Sequence, residues 1–255
     1  MLLTRPSENM NTKNTFYRSC IAVFLAGIAG CGGGGSSSAP ASSSQGASGT
    51  YPLQQAYASI KASGYQQSVN VAGTAMVNGV SIPVTGSLLV SESPANTSTT
   101  FNGQSAQETT TSVTGTISAD GQSIAVSDSA SDYVSPTGQP LGETSANSYC
   151  VTTSFTALPA SISVGQSGPY ATFVCYTDST MSTMLGNATS TYTIAAGATS
   201  DTATLEMTVV ATNAGGQQVS SSQTNFQMGS AGNITFSSIS VTAIIDGVNV
   251  TYSSQ

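Results

Sequence analysis

The chain has 255 residues with 26 glycines, no histidine, no tryptophan and a formal net charge of −7. Without an imidazole there is no base for serine-histidine or cysteine-histidine catalysis. Four basic residues in the whole chain argue against a nucleic-acid partner, which is held through phosphate neutralisation, and against an electrostatic grip on anionic lipid.

In chain order, Lys13 and Arg18 precede the apolar run from Cys20 to Gly30, the positive-then-apolar order of a secretory signal. Those 11 residues fall short of the roughly 20 that a helix needs to cross a bilayer. Met10 serves equally well as the start, since nothing before it adds to a signal. The tetrapeptide Ile28-Ala29-Gly30-Cys31 resembles the lipobox of bacterial lipoproteins, with an aliphatic residue and two small ones before a cysteine. That resemblance, confined to the first 31 residues, implies that residues 1–30 are a removed signal peptide. It also implies that Cys31 becomes the lipidated, acylated first residue of the mature chain. Three acyl chains, at about 0.8 kcal/mol per buried methylene, hold such a protein on a membrane essentially permanently. In that family an aspartate after the cysteine often signals inner-membrane retention, so with Gly32 in that place the resemblance implies the cell outer membrane, on either its periplasmic or its surface face.

With residues 1–30 gone, 10 acidic residues face the single Lys61, a formal charge of −9. Residues 31–50 form the lipidated cysteine and a Gly/Ser/Ala/Pro tether whose composition resembles O-glycosylated linkers of envelope proteins. A coil of about 20 residues reaches roughly 25 Å, enough to lift a domain off the headgroups. Residues 51–255 are expected to make one β-rich domain.

Leu53, Ala56, Tyr57 and Ile60 share one helical face and Gly64 stands where a helix would stop, so Pro52–Ser63 is expected to be a short helix with Lys61 on its surface near the C-terminal end. Beyond Gly64 the period is two. Val69, Val71, Gly73, Ala75 and Val77 alternate up to Asn78-Gly79, and Val80, Ile82 and Val84 resume. Asn-Gly between alternating runs marks a type I′ hairpin, and the same device recurs at Asn102-Gly103, Asp120-Gly121, Gly215-Gly216 and Asp246-Gly247. Further strands are expected over 113–118, 123–127, 170–176, 189–195, 203–211, 217–227, 233–245 and 248–252. The frames VNGVSIPV, ADGQSIAV and IDGVNVTY look alike, through two related halves or through hairpin chemistry alone. The expected fold is all-β: an antiparallel meander of about ten strands forming a sandwich or half-closed barrel, with one short N-terminal helix over an opening. The Pro- and Gly-bearing stretch 132–167 is expected to be the crossover.

Cys20 leaves with the signal and Cys31 is committed to lipid, which leaves Cys150 and Cys175. In an oxidising compartment they are expected to pair as a disulfide, since a metal site would lack histidine and Cys-x-x-Cys spacing. No Gly-x-Ser-x-Gly elbow, phosphate loop or Ser-x-x-Lys is present, so no catalytic residues, cofactor or metal site is expected. A glycosidase needs only two carboxylates, and Glu92, Glu108, Glu143 and Glu206 are the remote candidates, each read as sitting among exposed serine and threonine. Asp128 and Asp132 are two calcium-type ligands where six to eight oxygens are wanted. Tyr170, Tyr176 and Tyr192 are the candidate sugar platform, read instead as strand tyrosines that pack their rings. Similar to the many Gram-negative envelope lipoproteins to which no role is assigned, the chain is expected to be non-catalytic. Its expected role is structural, adhesive or protein-contacting, with the membrane as partner through its anchor and an envelope protein as possible contact. A carrier of a hydrophobic ligand in a half-barrel is the alternative.

Overall fold

The computed structural model describes residues 49–254, apart from Asn78, Asp246 and Gly247. The expected signal peptide, Cys31 and nearly all of the tether therefore lie outside the described residues. The elements are β1 (Thr50–Tyr51), α1 (Leu53–Ser63), β2 (Tyr65–Val77), β3 (Val80–Glu92), β4 (Asn96–Phe101), β5 (Gln104–Ala119), β6 (Gln122–Val134), β7 (Pro140–Ser145) and β8 (Ser148–Phe155). They continue with β9 (Ile162–Ser163), β10 (Ser167–Tyr176), β11 (Met184–Ala196), β12 (Thr202–Asn213), β13 (Gln218–Gly229), β14 (Ile234–Ile245) and β15 (Val248–Ser254).

The expected all-β antiparallel meander with one helix is what the chain builds, and its ends meet. Pairing of β3 with β5, from Val84 opposite Ala119 to Glu92 opposite Thr111, closes 12 antiparallel strands into a barrel. β4 continues the line of β3 along the other half of β5, with Asn96 opposite Glu108 and Phe101 opposite Gln104. Closure leaves the ring without the unpaired edge that would otherwise template aggregation.

Stretch 132–167 is not the crossover expected from its prolines. It contains β7 and β8, both members of the wall. Pro136 falls in the turn before β7, Pro140 is the first residue of β7, and Pro159 lies in the loop after β8, so none of them breaks a ladder. Two of the anticipated hairpins have the geometry their sequences demand: Asn102 and Gly103 take φ of 48° and 76°, and Asp120 and Gly121 take 51° and 70°.

Alternation decides which way the walls face. Along β11, Ala188, Ser190, Tyr192 and Ile194 are buried while Asn187, Thr189, Thr191 and Thr193 point outward. Along β12, Ala203, Leu205, Met207, Val209 and Ala211 are buried while Thr202, Thr204 and Glu206 face out. On these two strands the inner face is apolar and the outer face mostly polar, the reverse of a lipid-facing wall, while elsewhere the outer side carries the stacked rings of Phe101, Tyr133 and Tyr149. Among the described residues no helix is long and apolar enough to cross a membrane.

Wall side chains such as Val71, Val84, Val90, Ile239 and Val241 form a core of their own away from the helix, and α1 helps to occupy one end. Leu53, Ala56, Tyr57 and Ile60 turn inward, while Gln54, Gln55, Ala58 and Ser59 stay wet. The helix stops at Gly64, whose N–H donates to the Ile60 carbonyl at 2.8 Å. Its last turn is tied to the corner between β3 and β4 by the Ala95 N–H, which donates to the Lys61 carbonyl at 3.0 Å. β1 precedes the helix and pairs with β9, so the chain enters at the helix-capped end. Val80 at the start of β3, Ala119 at the end of β5 and Val248 at the start of β15 lie at the opposite end.

Candidate functional site

The barrel turns two of its strand carboxylates, Glu92 and Asp132, onto the capping helix. Val84, Leu88 and Val90 of β3 face inward, and the same two-residue count lands on Glu92. On β6 it passes from Ala130 to Asp132, which register places opposite both Thr109 of β5 and Glu143 of β7. Glu143 in turn stands opposite Cys150, and Cys150 opposite Cys175, where the disulfide joins β8 to β10.

Lys61 meets these carboxylates from the helix. Its Nζ lies 2.8 Å from Glu92 Oε1 and 3.5 Å from Asp132 Oδ2, with the three side chains only 12%, 5% and 8% exposed. The expectation of a surface lysine was therefore wrong: α1 lies across the opening, and the long side chain carries the ammonium inside. Thr111 Oγ1 donates to Glu92 Oε2 at 3.4 Å. Glu143 Oε1, also buried, has no hydrogen-bond partner among the described residues. Tyr57, Tyr65 and Tyr170 complete the surroundings, Tyr57 and Tyr170 edge to face at 6.0 Å and Tyr65 stacked on Phe236 at 5.2 Å.

Burial sets the electrostatics. It pushes the Asp132 carboxyl up to about 7 against the opposing pull of Lys61. Glu143 is raised well above the ordinary carboxylate range, first by burial and then by Asp132. Burial alone would lower Lys61, yet Glu92 and Asp132 outweigh it and hold the amine above its ordinary value. Tyr57 and Tyr65 are raised chiefly by burial.

Of the four glutamates expected among exposed serines and threonines, Glu92 and Glu143 are buried in this cluster. Glu206 faces outward and is half-buried, and Glu108 accepts the Tyr133 hydroxyl at 3.4 Å on the outer wall. The four do not converge on one site, and the Lys61 ammonium occupies the space beside Glu92 and Asp132. Asp132 likewise points at an ammonium rather than a cation site, and no group of three metal-binding side chains occurs among the described residues. Tyr170 and Tyr192 are buried on the inner face and form no exposed platform.

The far end of the barrel differs. Val80 and Ile124 point along inward-facing rows that run out at the rim, so both are exposed, and Met76 beside them is exposed on the outer face. A groove of about 480 Å³ lies there, lined by Val80, Ile82, Pro83, Thr85, Ser118 and Asp120 among others.

Comparison with known families, with curated proteins and with solved structures finds no match to this chain.

Proposed function

We propose that this is a non-catalytic envelope protein, lipid-anchored at Cys31 to the outer membrane, whose barrel presents one end to another envelope protein. The observation that carries the reading is the placement of the two ends. The chain enters beside the helix, so a tether there turns the opposite rim, with exposed Met76, Val80 and Ile124, away from the membrane. The polar outward faces of β11 and β12 suit a body standing in water, and Glu92 and Asp132, covered by α1 and neutralised in part by Lys61, are not set out for turnover.

A photoreactive amino acid at Val80 in intact cells is expected to give a discrete protein adduct, while the same residue at Ser59 on the wet face of the helix gives none. Equal labelling from both positions, or none from either, would sink the contact role. The apolar inner face under a helical lid favours a second reading, a carrier of a hydrophobic ligand. Lipid recovered by solvent extraction of the purified protein would support that reading instead.

A further inference from the structure

We propose that Lys61 and Asp132 join covalently, the Lys61 Nζ forming an amide with Asp132 Cγ while Glu92 carries the proton, so that helix and wall become one covalent unit. The inference rests on the cluster itself and is independent of where the protein resides or what it contacts.

Three features converge. The amine and both carboxylates are held in contact, Nζ at 2.8 Å from Glu92 and 3.5 Å from Asp132. That approaches the separation at which fixed orientation converts a slow bimolecular condensation into a fast intramolecular one. Both carboxylates are buried and the Lys61 side chain is only 12% exposed behind α1, with Tyr57, Tyr65 and Tyr170 about them, which limits the water that would reverse the reaction. Buried charges are also costly, and the reaction removes them.

The chemistry balances without any co-reactant. The Lys61 ammonium gives one proton to the Glu92 carboxylate, and the freed amine attacks Cγ of Asp132 in its carboxylic acid form. Glu92 relays an amine proton to the departing hydroxyl as the C–O bond breaks, one water leaves, and Glu92 ends as a neutral acid able to donate to the new amide carbonyl. An ammonium, a carboxylate and an acid become an amide, an acid and water. Glu92 thus acts as a catalytic residue in a single intramolecular event. Asp132 is the better acceptor because burial keeps its acid form populated near neutral pH, while Glu92 is braced by the Thr111 hydroxyl. Glu143, opposite Asp132 in register, is the other carboxyl that faces the pair.

The sequence supplies an unusually clean test, because Lys61 is the only tryptic site after Arg18. The purified full chain, reduced and denatured, is expected to resist trypsin at Lys61, since an acylated lysine is not cut. Cleavage with a protease of other specificity should then yield a branched peptide joining Lys61 to Asp132, one water lighter than its two parts. Asp132→Ala should restore cutting, and Glu92→Gln should slow cross-link formation about 100-fold or more, the usual share of general acid–base catalysis. Complete cutting of the wild-type chain, or a branch placed on Glu92, would overturn the proposal, and neither readout depends on any variant folding.

Discussion

Replacing Cys150 and Cys175 together by alanine is expected to lower the stability of the barrel by about 3 kcal/mol. The bridge spans 25 residues between directly opposed positions on β8 and β10, with Cα atoms 4.0 Å apart. In the chain-entropy account, its main effect is to deny the unfolded chain the freedom of that loop. The loop holds β9, the partner of β1, so the bridge also braces the place where the chain enters the barrel. Equilibrium urea unfolding should show a lower midpoint for the double variant, and the oxidised wild type should fall to a similar value when reductant is added. An unchanged midpoint in both would show that the bridge constrains nothing the fold does not already fix.

The second large effect is expected at Gly64, where alanine should cost about 3 kcal/mol or more, combining a backbone region essentially restricted to glycine with a steric overlap. Gly64 has φ 64° and ψ −176°, and a Cβ there would run into the Glu92 carbonyl oxygen and stand 2.8 Å from the Pro94 nitrogen. The chain turns here from helix to wall, so relief of the overlap lifts the last turn of α1 and draws Lys61 from its carboxylates. Gly79→Ala is the control: its φ is also positive, at 80°, but nothing lies within 4 Å of a Cβ, so the loss should be limited to the conformational cost of about 1 kcal/mol. Thermal unfolding of the two variants side by side checks the difference, and equal losses would contradict it.

Most of the wall was legible because its signals are local. Val69, Val71 and Ala75 alternate inward as their spacing says, Asp120-Gly121 turns as its composition says, and the helical face from Leu53 to Ile60 is the buried one. Closure was not legible, because it depends on the pairing of Val84 with Ala119 and its successors, a contact between β3 and β5 that no short-range pattern encodes. The prolines of stretch 132–167 misled for a related reason. Proline forbids a donor within a ladder but is tolerated at a strand's first residue, and which of the two applies at Pro140 depends on its neighbours.

The cluster was half legible. Counting by two from Leu88 and Val90 reaches Glu92, and from Ala130 it reaches Asp132, so both could have been placed inside from the sequence. In sequence Glu92 reads as exposed because serine and threonine surround it, and Asp132 reads as the start of the crossover and a calcium-type ligand, although a carboxylate inside a wall needs only a partner to be buried. The partner, Lys61, becomes visible only once the helix is laid across the opening. The same dependence explains Val80 and Ile124: both obey the inward count, yet the wall ends before it can cover them.

We propose a barrel hung from a lipidated Cys31 at its helix-capped end. Intact mass spectrometry of the protein purified from cell envelopes tests this most directly. The expected species begins at Cys31 and carries the added mass of a diacylglycerol and a further fatty acid; a chain that begins elsewhere, or that carries no acyl mass, would contradict the account.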